Sequence, residues 1–128
     1  MRTKRLLIAD DDAMNREIYR DLFEDDYEVE VVTDGQSCLA EFARARPDLL
    51  ILDVAMPAMD GIEVCQHLRA SPHYAELPIL LVSGFDGEQQ RDRGLAAGAS
   101  AYIQKPFDLG EFEALVARLA DDAACARA

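Results

Sequence analysis

The chain has no tryptophan, only two histidines and only three cysteines among its 128 residues. Cys38, Cys65 and Cys125 are odd in number, far apart and in no C-x-x-C arrangement, which argues against a disulfide framework and a zinc site. Cys38 and Cys65 fall within helical patterns and read as small core or boundary residues. His67 and His73 stand away from the ends of the apolar runs and read as ordinary surface histidines. No apolar stretch approaches the roughly 18 residues of a membrane helix. The basic opening, Met-Arg-Thr-Lys-Arg, precedes a run of only four apolar residues, too short for a signal peptide. A cytoplasmic location is therefore expected. Basic residues are scarce too: 13 against 25 acidic ones, a net charge of −12. Such a surface repels DNA and anionic membranes, so direct binding to either is not expected. It attracts divalent cations and basic partner faces. There is no repeat, low-complexity tract or internal linker. Residues 1–121 are expected to form one domain, with 122–128 a disordered tail or the start of a linker.

What is present is an alternation. Five short apolar runs occupy residues 6–9, 29–32, 49–52, 79–82 and 101–103, and helical patterns lie between them. The first, third and fourth runs are continuously apolar, as strands covered by helices on both faces are. Met14, Ile18 and Leu22, widened by Tyr19 and Phe23, predict a first helix. Leu39, Phe42 and Ala43 predict a second, with Asp34 as its N-cap. Ile62, Cys65 and Leu68 predict a third, and Leu109, Phe112, Leu115, Val116 and Leu119 the last. Residues 87–97 carry the weakest pattern, polar from Glu88 to Arg93, and predict a loosely packed helix.

Strand–helix–strand units build a parallel sheet with right-handed crossovers, and in open sheets of this kind ligands sit beyond the carboxyl ends of the strands. That rule selects Asp10, Asp11, Asp12, Asp53, Ser83 and Lys105, each following an apolar run. Asp10, Asp11 and Asp53 in one pocket repel one another, and at least one would hold a proton unless a cation intervened. Lys105 supplies one positive charge. A hard divalent cation such as Mg²⁺, with few protein ligands and several waters, balances the rest. A carboxylate can take a phosphoryl group as an aspartyl phosphate, with a metal and a lysine stabilising the charge that spreads. Asp53 suits that role because it closes the central buried run, and Ser83 offers a hydroxyl beside it.

Four segments together resemble the receiver domains of two-component response regulators: Leu-Leu-Ile-Ala-Asp-Asp-Asp (6–12), Leu-Ile-Leu-Asp-Val-Ala-Met-Pro-Ala-Met-Asp-Gly (50–61), Val-Ser-Gly (82–84) and Lys-Pro-Phe (105–107). The resemblance covers residues 4–120. It implies an α/β fold: a (βα)5, doubly wound, five-stranded parallel sheet of flavodoxin-like type, strand order 2-1-3-4-5. It implies that Asp53 is the phosphoacceptor, that Asp10, Asp11, Asp53 and the backbone carbonyl of Ala55 hold Mg²⁺, and that Ser83 and Lys105 contact the phosphoryl group. Tyr102 matches an aromatic switch position that turns inward when Ser83 moves. A cis peptide is implied before Pro106. The implied partners are a sensor histidine kinase or histidine phosphotransfer protein, and a downstream protein or fused output domain reached through the face of the fourth helix, fifth strand and fifth helix. A phosphorylation-dependent homodimer is a further implication. The implied activity is a signalling switch, not an enzyme beyond its own phosphorylation and dephosphorylation.

Two departures matter. Family members often carry polar residues at the positions of Ala55 and Phe85, where they help orient a hydrolytic water, so a long-lived aspartyl phosphate is expected here. Gly84 replaces a more usual alanine and is expected to open the pocket to small phosphodonors.

Simpler roles compete for several residues. Asp12 reads as a helix N-cap, Asp60-Gly61 as a turn into the third helix, and Arg91 and Arg93 as a solvated helix face. Met56 and Met59 fit a partner patch and loop packing equally well. Two other functions stand beside the switch. A haloacid-dehalogenase-type phosphohydrolase would use Asp10 as nucleophile and Asp12 as acid. A receiver-like interaction module would never be phosphorylated.

Overall fold

A computed structural model describes residues 3–84 and 88–127, with side chains as far as Asp121. Five parallel strands form one sheet: β1 (Arg5–Ala9), β2 (Glu28–Val32), β3 (Leu49–Asp53), β4 (Ile79–Ser83) and β5 (Ala101–Gln104). Their order is β2-β1-β3-β4-β5, as expected. The helices are α1 (Ala13–Phe23), α2 (Gly35–Arg44), α3 (Gly61–Arg69), α4 (Glu88–Ala96) and α5 (Leu109–Arg127), with a short 3-10 turn at Pro72–Tyr74 that sequence periodicity did not reveal. The backbone of α5 thus stays helical past residue 121.

Side-chain alternation divides the strands between two cores. Leu6, Ile8, Leu49, Ile51, Leu80 and Val82 face Tyr19 and Phe23 of α1 and Phe112, Val116 and Leu119 of α5. Leu7, Ala9, Leu50, Leu52, Ile79 and Leu81 face α2 and α3 through Cys38, Phe42, Val64, Cys65 and Leu68. This double coverage is why β1, β3 and β4 are buried at every position while the edge strand β2 is not. Three inner strands made almost wholly of Leu, Ile, Val and Ala therefore need no polar alternation.

Two helical patterns depart from expectation in part: Leu22, Leu39 and Phe42 pack against the cores as expected, but Met14, Ile18 and Ala43 do not. Met14 and Ile18 are 70% and 41% exposed, while Tyr19 and Phe23 are buried. The inward face of α1 is therefore Asn15, Tyr19 and Phe23, spaced by four, with Leu22 packed beside them. In α2, Cys38 and Phe42 point inward and Ala43 is exposed. The weak pattern of α4 is matched by its packing, with Gly94 its one buried residue. Met56 is buried and Met59 packs against the same core, so both methionines serve loop packing.

Three helices begin just beyond the carboxyl ends of strands, each under a side-chain cap. Asp12 accepts from the N–H groups of Met14 (2.8 Å) and Asn15 (3.3 Å), and Asp34 from Ser37 (2.7 Å). Asp60 and Glu63 form a reciprocal capping box. Gly61 lies so close to β3 that a Cβ there would stand 2.5 Å from the carbonyl oxygen of Asp53. Only hydrogen fits, and the end of β3 is thereby pressed against the start of α3.

Candidate functional site

The register of the sheet brings four strand ends to one edge. Ala9 pairs with Leu52, Asp53 with Val82, and Ser83 with Gln104. The ladder continues past the strands: Asp10 N–H donates to the Val32 carbonyl (3.1 Å), Val54 N–H to Val82 (2.9 Å) and Lys105 N–H to Ser83 (2.7 Å). Asp10, Asp53, Ser83 and Lys105 are thus held by backbone bonds. The peptide between Lys105 and Pro106 is cis, as the resemblance implies.

Carboxylate oxygens of Asp10, Asp11 and Asp53 lie within 4.8 Å of one another. Asp10 and Asp53 are buried at 1% and 6% exposure, while Asp11 faces solvent. The Lys105 ammonium stands 3.6 Å from Asp53 Oδ2 and 3.9 Å from Asp10 Oδ2. Asp53 Oδ1 accepts from the Ala55 N–H at 3.3 Å. One lysine does not balance three carboxylates. Burial, followed by the charge of Asp10, pushes the Asp53 carboxyl up to about 6, against the opposing pull of Lys105 and the Ala55 N–H. Beneath the pair, burial and then Asp10 and Asp53 raise the phenol of Tyr19. The pocket behaves as one short of positive charge. Its donors are hard oxygens, two fixed and one open to water, which is the donor chemistry that suits Mg²⁺.

The other expected residues fall as follows. Ser83 is fully buried at the end of β4. Ala55 is exposed in the loop after β3. The Tyr102 ring is half-buried against the α4 side, and a Cβ on Gly94 would lie 3.4 Å from its Cδ2. Its hydroxyl is buried without a hydrogen-bond partner among the described residues. A Cβ on Gly84 would meet nothing within 4 Å. Phe85 lies outside the described residues. His67, His73, Arg91 and Arg93 are all exposed. Asp12 is spent on capping α1, which removes the acid that a haloacid-dehalogenase-type pairing with Asp10 requires.

Residues that sequence reasoning missed are Asn15 and Arg16. The Asn15 amide donates to Asp10 Oδ2 at 3.3 Å, and the Arg16 guanidinium to the Asp10 carbonyl at 2.8 Å. The available signal was spacing: Asn15 stands four residues before Tyr19 and eight before Phe23, a polar group on an inward stripe.

A family model described as the response regulator receiver domain matches residues 6–117. The response regulator MprA of Mycobacterium leprae is 45% identical over 116 residues, 90% of this chain and 50% of that protein. MprA of Mycobacterium tuberculosis is likewise 45% identical, with 48% of its length covered. The chain spans about half the length of the curated relatives it matches. Among solved structures, the chemotaxis protein CheY4 of Vibrio cholerae superposes with a TM-score of 0.86 at 31% identity, covering 92% of this chain and 99% of that one. The receiver domain of a signal transduction histidine kinase from Syntrophus aciditrophicus gives 0.86 at 30% identity, covering 92% and 90%.

Proposed function

The chain belongs to the response regulator receiver family, and on that premise we propose that it is a phosphorylation-dependent switch whose phosphoacceptor is Asp53. The observation that carries this reading is the convergence of Asp53, Lys105 and the Asp10–Asp11 pair at one sheet edge. The donor is a phosphohistidine on a sensor histidine kinase or phosphotransfer protein. An Asp53 carboxylate oxygen attacks phosphorus, the phosphorus–nitrogen bond breaks, and the imidazole leaves with the bond's electron pair. Asp10, Asp11, Asp53 and the Ala55 carbonyl would hold Mg²⁺, which would supply the positive charge that lets an anionic phosphoryl group approach an anionic nucleophile. Lys105, already 3.6 Å from Asp53, screens the same charge. The Ser83 hydroxyl donates to a phosphoryl oxygen.

The new group adds about −1.5 to −2 charge and three acceptors, which bias a two-state element. That element is Ser83 with Tyr102 and the lightly packed α4. Exposed Leu95 and Leu109, on α4 and α5, support the α4–β5–α5 face as the surface read by a downstream protein, a fused output domain or a second copy. The domain turns over no separate substrate and has no direct role on nucleic acid or membrane; among the described residues no helix is long and apolar enough to span a bilayer. A cytoplasmic setting fits such a partner set.

The test is labelling with acetyl phosphate or phosphoramidate in the presence of Mg²⁺, read by intact mass. Wild type gains one phosphoryl group and Asp53→Ala gains none. Equal gain in both refutes the assignment.

A further inference from the structure

We infer that Asn15 is a positioning residue for the metal-binding carboxylate of Asp10. The inference rests on the reading of Asp10 as a Mg²⁺ ligand.

α1 turns Asn15, Tyr19 and Phe23 toward the protein, and the last two are buried among aromatic rings. An amide in that row is costly unless it has a partner. Its partner is Asp10 Oδ2, at 3.3 Å. A carboxylate only accepts, so the amide must present its nitrogen.

The second oxygen of Asp10, Oδ1, accepts from the Asp12 N–H at 2.9 Å. One donor on each oxygen fixes the carboxylate plane, and each oxygen keeps a lone pair for a metal or a metal-bound water. The two donors come from different turns of chain. The Asp12 N–H belongs to the backbone that opens α1, while the amide is the one side chain of α1 that bonds the carboxylate. Lys105 is the cation that pairs with Oδ2 among the described residues, at 3.9 Å, and it stands nearer Asp53, at 3.6 Å. With Asn15 in place, the lysine need not serve Asp10. Without it, Oδ2 is free to turn toward the ammonium, drawing the lysine from Asp53 and the carboxylate from the metal position.

Arg16, which grips the Asp10 carbonyl, fixes the backbone and leaves the carboxylate rotamer to Asn15. The arrangement therefore divides the work between adjacent residues of one helix.

The experiment is calorimetric titration of the unphosphorylated protein with Mg²⁺. Asn15→Leu keeps the branched shape and removes the donor. Its expected effect is a rise of about ten-fold in Kd, the lower end of what losing a partner of a metal ligand costs. The same substitution in an Asp11→Ala background should weaken binding by the same factor. In an Asp10→Ala background it should add nothing, because the residue acts through Asp10. Asn15→Ala, which cannot overpack, should repeat the pattern. An unchanged Kd in both Asn15 variants, or an equal loss in the Asp10→Ala background, overturns the inference while leaving the Mg²⁺ site intact. Failure of the wild type itself to bind Mg²⁺ overturns the reading of the site and this inference with it.

Discussion

The two ends of the sheet handle buried charge in opposite ways. At the amino ends of the strands, Arg5 is buried between Glu28 (3.4 Å) and Glu41 (2.9 Å), and Glu41 is also bound by Arg44. The Asp48 carboxylate takes the Arg5 N–H at 2.8 Å. Each acid there has a donor, Arg5 and Arg44 serving Glu28 and Glu41 and the Arg5 main-chain N–H serving Asp48, and Glu41 titrates below the ordinary carboxylate range because Arg44 and Arg5 hold its charged form. At the carboxyl ends, three carboxylates share one lysine, and Asp53 titrates above its ordinary range. The first end is closed in that every carboxylate there meets an N–H donor within the fold. The second is left short of positive charge, which a cation from solution would supply.

Breaking the closed end should cost the most. Arg5→Ala leaves Glu41 with Arg44 alone and should lower stability by about 2–3 kcal/mol, below the usual cost of splitting a buried pair because one partner survives. Urea denaturation checks this, and stoichiometric labelling of the folded fraction should persist.

Neutralising the open end should do the reverse. Asp53 binds its proton more tightly when folded than unfolded, so its favourable contribution is complete below about pH 4 and is lost as pH rises through about 6. Asp53→Asn should therefore raise stability by about 2 kcal/mol at pH 7 in metal-free buffer. The gain should vanish below about pH 4, and Mg²⁺ should narrow it by stabilising the wild type more than the variant. A mutant no more stable than wild type at neutral pH would show the pocket to be balanced already.

A smaller effect is expected at Tyr102. Its partnerless buried hydroxyl is a local version of the same imbalance. Tyr102→Phe should stabilise the unphosphorylated protein by about 1 kcal/mol, read by thermal melting. Smallest in energy is the kinetic contrast at the site. Phe85→Glu should shorten the half-life of the aspartyl phosphate by restoring a polar group where the chain has none. An unchanged half-life would count against the long-lived state.

The strand framework was legible because β1, β3 and β4 are apolar on both faces, a pattern with few alternative uses. From it the edge carrying Asp10, Asp53, Ser83 and Lys105 follows by topology alone. The phase of α1 was not legible. Met14 and Ile18 look like core by type, but Asp12 caps the helix and Asp10 draws Asn15 inward, which turns both apolar residues to solvent. Hydrophobic periodicity has no term for a polar residue recruited by a buried charge. Roles that depend on contact across the fold, such as the seat of Gly61 on the Asp53 carbonyl and the orphan hydroxyl of Tyr102, leave no trace in spacing.

The carboxyl end of α4 is tied to α3. Cys65 Sγ reaches the Ala97 carbonyl at 3.5 Å, Arg69 Nε reaches Gly98 at 2.9 Å, and a second Arg69 nitrogen reaches Ser100 Oγ at 3.4 Å. That Oγ in turn accepts from the first residue of β4 at 3.0 Å. Toward its amino end α4 buries no described side chain. A rod gripped at one end and bare along the other is a lever. With the Arg69 guanidinium as its fulcrum, a small push beside β4 would become a larger sweep at the far tip of the helix.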